Sequence, residues 1–168
     1  MSLVVQKYGG TSLGNAERLQ NVAKIIADTL EQNRVIVVVS AMSSYTKAEG
    51  TTSRLLEAGD LAISGGPFFR VLDLVEQSHF KALEDAISDT VIMEEVKEYI
   101  HEELRSLKAF LEAIHVINEI SPRSQDLIIG TGERLSARLL SGVLKSYGID
   151  SAYTDLSQSV DENVSANH

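Results

Sequence analysis

Residues 35–39 read Val-Ile-Val-Val-Val, five β-branched residues in a row. Such a run cannot alternate between a wet and a dry face. It predicts a central parallel strand covered on both faces. The residues before it fit the same picture. Residues 3–7, LVVQK, read as a short buried strand, and residues 9–14 form a loop holding Gly9, Gly10 and Gly14. Asn15 suits an N-cap. Beyond it Leu19, Val22, Ala23, Ile26 and Leu30 recur at helical spacing and mark one apolar face. Strand, glycine loop, helix and strand make a βαβ unit, for which a right-handed crossover is expected.

The rest of the chain is mostly helical in pattern. A polar loop, SAMSSYTKAEGTTS, starts at Ser40. A helix is predicted from near Arg54 to about Ile63, ended by SGGP at 64–67. Phe68 to about Ile87 and about Val91 to Ile117 predict two further helices. The second carries the stripe Val96, Tyr99, Ile100, Leu104, Leu107, Leu111 and Ile114. The pair reads as a helical hairpin inserted at about 67–120 between strand units. Its stripe suits core packing, a cover over a site or a subunit contact. Ser121 and Pro122 restart the chain as N-cap and first helical residue. Gly130 and Gly132 predict a second glycine break, then a helix from about Glu133 to Tyr147 with Gly148 at its C-cap. SAYT at 151–154 predicts a third parallel strand, and the closing SQSVDENVSANH carries no element signal. The predicted class is α/β with an open, mainly parallel sheet. About three strands is fewer than usual, which marks the 168 residues as part of a larger domain.

Charge and composition narrow the partners. The net charge of −9 argues against nucleic acid or an anionic membrane, both of which want a basic face. An anionic small substrate would need Lys or Arg concentrated at its site. With no cysteine, disulfides, thiolate catalysis and zinc–sulfur sites are excluded. Residues 1–6 do not read as a signal peptide, and no apolar run approaches the roughly 20 residues that span a bilayer. A cytoplasmic location is the expectation. HEELR at 101–105 lacks the second histidine of a zinc-protease helix. His79 and His115, on helical stretches, read as packing or surface residues. No metal ligand is predicted.

A strand, glycines and a helix start recur as a phosphate site, because backbone N–H groups and the helix dipole face the anion. GGTSLG supplies neither the G-x-G-x-x-G of a dinucleotide fold nor a P-loop, since Asn15 and Ala16 stand where Lys and Ser/Thr belong. Here the lysine, Lys7, precedes the loop. A tight βα turn beside a solvated lysine accounts for the same residues. The second strand ends in Ser40, Ser43, Ser44 and Thr46, on the rim where open parallel sheets bind ligands, although a polar surface loop reads the same way. Gly130-Thr131-Gly132-Glu133-Arg134 again joins glycines to a predicted helix start. Glu133 there either complements the helix dipole or faces the rim and binds a cation. Lys47, Arg54, Arg134 and Arg138 are local positive charge or solvated surface.

Three segments in this order resemble the amino-acid kinase family, and within it the aspartate kinases. KYGGTS resembles K-[FY]-G-G-T-S, SAMS with Thr46 resembles S-A-M-S-x-x-T, and GERLSA resembles G-E-x-x-S-A. The resemblance implies a three-layer αβα sandwich. It implies ATP-dependent phosphorylation of the side-chain carboxylate of L-aspartate to 4-phospho-L-aspartate, the first step toward lysine, threonine and methionine. Lys7 would contact the transferring phosphoryl group, with Gly9, Gly10, Thr11 and Ser12 as the phosphate loop. Ser40 and Thr46 would hydrogen-bond aspartate, and Glu133 would pair with its ammonium. MgATP is the implied cofactor and L-aspartate the partner, in a homo-oligomeric parent. The chemistry is consistent: a carboxylate nucleophile is already ionised at neutral pH, so catalysis is positioning and charge neutralisation. Ser44, Tyr45 and Lys47 depart from the common S-A-M-S-G-V-T-N, and Asp155-Leu156-Ser157 from Asp-Ala-Arg. The resemblance places the ATP-binding half, an arginine for the substrate carboxylate and ACT-type regulatory domains outside these residues. It therefore implies no turnover by this chain alone. A regulatory module that only binds aspartate or an anion, or a relative acting on glutamate or carbamate, are the alternatives.

Overall fold

The computed structural model of the chain describes residues 1–158, so the polar stretch 159–168 lies outside the described residues. β1 (Ser2–Tyr8) and β2 (Asn33–Val39) run parallel, in register from Ser2 opposite Asn33 to Tyr8 opposite Val39. α1 (Ala16–Leu30) connects them, as the βαβ pattern predicts. The Asn15 side-chain oxygen accepts from the Arg18 N–H at 3.0 Å, a cap that contributes about 1 kcal/mol. Leu19, Val22, Ala23 and Ile26 are buried on the predicted face, and Leu30 is half-buried.

The β-branched run does not end up covered on both faces. Val35, Val37 and Val39 are half-buried toward the helices, but Ile36 and Val38 remain 49% and 40% exposed. Leu3 and Val5 beside them on β1 are 58% and 62% exposed. Among the described residues no element covers this face. SAYT forms no third strand either, and the sheet has two strands. Residues 151–155 are instead tied to helices. Ser151 Oγ donates to the Ser141 carbonyl at 3.1 Å, and the Tyr153 hydroxyl lies 2.9 Å from that of Tyr99.

Four further helices build the core: α2 (Thr51–Ser64), α3 (Phe68–Ala86), α4 (Thr90–Ile117) and α5 (Pro122–Ser146). α2 stops at Gly65, whose φ of 73° favours glycine. The Asp89 carboxylate starts α4 by accepting from Val91 and Ile92 N–H at 2.9 and 3.1 Å. The α4 stripe is buried from Val96 to Ile114, with Tyr99 half-buried. The predicted hairpin of α3 and α4 is therefore core, packed on α2 and α5. Leu55, Leu83, Ile100, Leu111, Leu135 and Leu139 are fully buried where these helices meet, each contributing about 2 kcal/mol of transfer free energy.

The predicted break at Gly130 and Gly132 does not occur. Ser121 caps α5 through the Ser124 N–H at 3.1 Å, Pro122 follows, and the helix runs unbroken through both glycines. Close packing is the reason for Gly132. A Cβ there would lie 2.8 Å from Ala41 Cβ and 3.1 Å from Thr51 Cγ2. A glycine in mid-helix costs about 1 kcal/mol, offset here by letting α5 lie directly against the end of β2 and the start of α2. α5 ends as expected near Gly148, which has φ 75° and donates to the Lys145 carbonyl at 2.9 Å. Ile149 donates to the Leu144 carbonyl at 3.0 Å, completing the Schellman pattern.

Candidate functional site

The carboxyl ends of β1 and β2 meet as two interlocked loops. The Ser40 N–H extends the ladder to the Tyr8 carbonyl at 3.1 Å, and the Ser43 N–H bonds the Gly10 carbonyl at 3.0 Å. Residues 9–14 are not open loop: Gly10–Leu13 forms a 3-10 turn, with the Ser12 N–H on the Gly9 carbonyl at 2.9 Å. The glycines differ in their reasons. A Cβ on Gly10 would come within 2.2 Å of the Ala41 carbonyl oxygen, and one on Gly14 within 2.2 Å of the Ser43 carbonyl oxygen. Both are required by backbone approach alone. Gly9 is exposed with nothing within 4 Å of its absent side chain, so the chain's own packing does not require it.

Lys7 is the last residue of β1 on the open sheet face, opposite Val38. It is exposed and forms no ion pair among the described residues. Gly10, Thr11 and Ser12 open the 3-10 turn beside it, where the first N–H groups of a helical turn lack partners within it. The Ser12 N–H donates to the Gly9 carbonyl within the turn.

Ser40 is half-buried at the end of β2. Thr46 is exposed and precedes the short turn Lys47–Glu49 without capping it through its side chain. Its backbone is fixed: the Thr46 N–H donates to Ser44 Oγ at 3.0 Å, and its carbonyl accepts from the Glu49 N–H at 2.9 Å. Arg18 touches both loops. Its Nη1 donates to the Thr11 carbonyl at 2.8 Å, and its guanidinium carbon lies 4.0 Å over the Tyr45 ring.

Glu133 follows Gly132 on α5. Because the helix starts at Pro122, Glu133 stands in mid-helix, and a favourable interaction with the N-terminal dipole no longer accounts for it. Its Oε2 is buried and has no hydrogen-bond partner among the described residues. A buried acceptor left unpaired costs about 1–3 kcal/mol, more when charged, which sets this oxygen apart as a candidate to accept from a ligand. Arg134 does not donate to it. Its Nε donates to Glu103 at 2.9 Å and its Nη2 to Thr131 Oγ1 at 3.0 Å, joining α5 to α4. Arg138 lies 5.5 Å over the Tyr99 ring, and burial of Tyr99, with its bond to Tyr153, pushes the phenol well above its usual range.

The remaining residues singled out in the sequence tie helices together or lie on the surface. Arg54 donates to the Leu74 carbonyl at 3.1 Å, His115 bonds the Ala62 carbonyl at 2.8 Å, and Lys47 is exposed. His101 of HEELR pairs with Glu76 at 2.9 Å. A cleft of about 220 Å³ opens between α1, the 42–49 segment and α3, but Lys7, Gly9, Ser40 and Glu133 do not line it. Sequence reasoning missed Arg18, and it placed Ser44 on the rim without showing that its Oγ accepts from the Thr46 N–H. A cation in the first turn of a helix opposes the dipole, which was the available signal for Arg18.

The family model for the amino acid kinase family matches residues 2–167. The chain belongs to the amino acid kinase family. Among curated proteins, this amino acid kinase segment is 42% identical over 161 residues to the aspartokinase of Schizosaccharomyces pombe, covering 95% of this chain and 31% of that protein. It is 37% identical over 171 residues to the Saccharomyces cerevisiae aspartokinase, covering 97% of this chain and 32% of that one. The chain thus spans about a third of the length of these relatives. The crystal structure of E. coli aspartokinase III in complex with lysine and aspartate superposes with a TM-score of 0.70 at 25% identity, over 88% of this chain and 30% of that one.

Proposed function

We propose that this chain is the aspartate-binding lobe of an aspartate kinase, transferring a phosphoryl group from MgATP to the side-chain carboxylate of L-aspartate. One observation carries the reading: the buried, unpartnered Glu133 carboxylate oxygen lies beside Gly132, which packs against Ala41 directly after Ser40. An α-ammonium is the donor that such an oxygen lacks. The relatives support the assignment, since the aspartokinases of both yeasts align over nearly the whole chain. The solved E. coli aspartokinase III complexes contain aspartate, and in one case ADP.

Each residue then has a task. Glu133 holds the ammonium, and the Ser40 and Thr46 hydroxyls hold the acceptor. The acceptor needs no general base, because a carboxylate is ionised at neutral pH. Lys7, on the open face with no ion pair among the described residues, neutralises charge on the transferring phosphoryl group. Gly9, free of steric demands from the fold, lets the backbone approach, with Gly10 and Thr11 behind it. ATP bound with Mg²⁺ supplies the phosphoryl donor.

The exposed sheet face of Leu3, Val5, Ile36 and Val38 is covered by the remainder of a kinase domain, making the three-layer αβα sandwich. That remainder brings the nucleotide half, so the 168 residues alone do not turn over. The full-length protein is cytoplasmic, homo-oligomeric and serves lysine, threonine and methionine synthesis. An ADP-release assay with aspartate and MgATP tests this. The full-length protein should turn over and Glu133→Gln should raise the KM for aspartate at least tenfold. Absence of turnover by the full-length wild type, or an unchanged KM in the variant, refutes it.

A further inference from the structure

We propose that Arg18 is a positioning residue that clasps the two loops of the site, setting the distance between phosphoryl donor and acceptor. The inference rests on the proposed kinase reaction and deepens it. Arg18 sits in the first turn of α1, where a cation opposes the helix dipole. Among the described residues it forms no ion pair, although the chain has 24 acidic residues. It is committed elsewhere. One guanidinium nitrogen donates to the Thr11 carbonyl at 2.8 Å, on the phosphate side. The same guanidinium lies 4.0 Å over the ring of Tyr45, on the acceptor side.

The surroundings are shaped for this bridge. A Cβ on Gly14 would stand 3.1 Å from Arg18 Nη1, so glycine there clears the path of the guanidinium. The Arg18 backbone N–H is fixed by Asn15. Tyr45 is 85% exposed, and the cation–π contact with Arg18 is the side-chain tie it makes among the described residues. Thr46 follows it directly, with its backbone pinned by Ser44 Oγ. Arg18 thus ties the Thr11 carbonyl to Tyr45, and through Tyr45 to the 44–49 turn that carries the Thr46 hydroxyl as one hydrogen-bonded unit. In-line transfer is sensitive to the separation of the two loops, and about 1 Å of misplacement costs up to about 100-fold in rate.

The test is steady-state kinetics of the full-length enzyme with melting temperatures on the same samples. Tyr45→Ala should lower kcat about tenfold or more, leaving the melting temperature unchanged and both KM values within about twofold. Tyr45→Phe keeps the ring face and should restore kcat. Arg18→Met should lower kcat as well, and adding Tyr45→Ala to it should cost nothing further. Wild-type kcat in Tyr45→Ala, equal damage in Tyr45→Phe and Tyr45→Ala, or additive losses in the double variant would each overturn the clasp. A full-length wild type without aspartate kinase activity overturns the underlying reading instead, before any substitution is made.

Discussion

Acidification should destabilise this fold through one histidine. His79 is fully buried on α3; its Nδ1 bonds the Val75 carbonyl at 2.8 Å and its Nε2 has no partner among the described residues. Burial disfavours the imidazolium. The Val75 carbonyl partly opposes this and Arg54 adds to it, so the pKa falls from 6.5 to about 4. The folded state therefore binds fewer protons than the unfolded state between these pH values. Stability rises with pH there: it is complete above pH 6.5 and is lost as pH falls toward 4. At about 1.4 kcal/mol per pH unit the full loss is about 3 kcal/mol, of which about 2 kcal/mol is gone by pH 5.

Urea unfolding of wild type and His79→Leu at pH 7 and pH 5 isolates this contribution. Carboxylates titrate alike in both proteins and cancel in the comparison. Leucine fills a similar volume and carries no proton, so the variant should lose about 2 kcal/mol less than wild type over this interval. Equal losses in the two proteins, or an imidazole titrating near pH 6.5 by NMR, would refute the assignment of His79 as a buried neutral group.

Three further outcomes are expected. Gly132→Ala should destabilise by about 1–2 kcal/mol in thermal unfolding, because the new methyl meets the rigid Ala41 Cβ at 2.8 Å and overpacking outweighs the gain in helix propensity. Glu103→Gln should cost about 1–2 kcal/mol, since Arg134, half-buried, loses its charged acceptor, and the loss should appear in denaturant midpoints with the m-value unchanged. Glu133→Gln should leave the ligand-free chain as stable as wild type or more stable by about 1 kcal/mol, because it removes a charge whose Oε2 is buried without a partner among the described residues; a loss of stability would mean that Glu133 serves the fold.

Local signals were legible wherever a residue acts on its own neighbours. Asn15, Ser121 and Gly148 mark helix ends through chemistry confined to one turn, and the α4 stripe declares its buried face by spacing. The failures share a cause in contacts distant along the chain. Gly132 reads as a break because the sequence does not show Ala41 packed against it. SAYT has strand propensity, yet Ser141 and Tyr99 hold it along the helices. VIVVV signals two covered faces, and the described residues supply the cover for one. The candidate site was legible as a set of residues and not as an arrangement. Lys7, Ser40, Thr46 and Glu133 could be named, but the buried oxygen of Glu133 and the bridge made by Arg18 required coordinates.

The glycines show how fold and function share one constraint here. Gly10, Gly14 and Gly132 all admit the Ala41–Ser43 segment, from β1's loop and from α5. That grip brings Ser40, the 3-10 turn and the Glu133 helix to one rim. Packing therefore explains these glycines before any ligand is considered. Gly9 is different, since, its chain neighbours aside, none of the described residues comes within 4 Å of where its Cβ would stand. Alanine at Gly9 should leave the fold intact and, if its backbone meets a phosphate, weaken nucleotide binding alone. Alanine at Gly10 should unseat Ala41 and damage both. Adjacent glycines that fail in different ways would separate the part of KYGGTS that builds the site from the part that uses it.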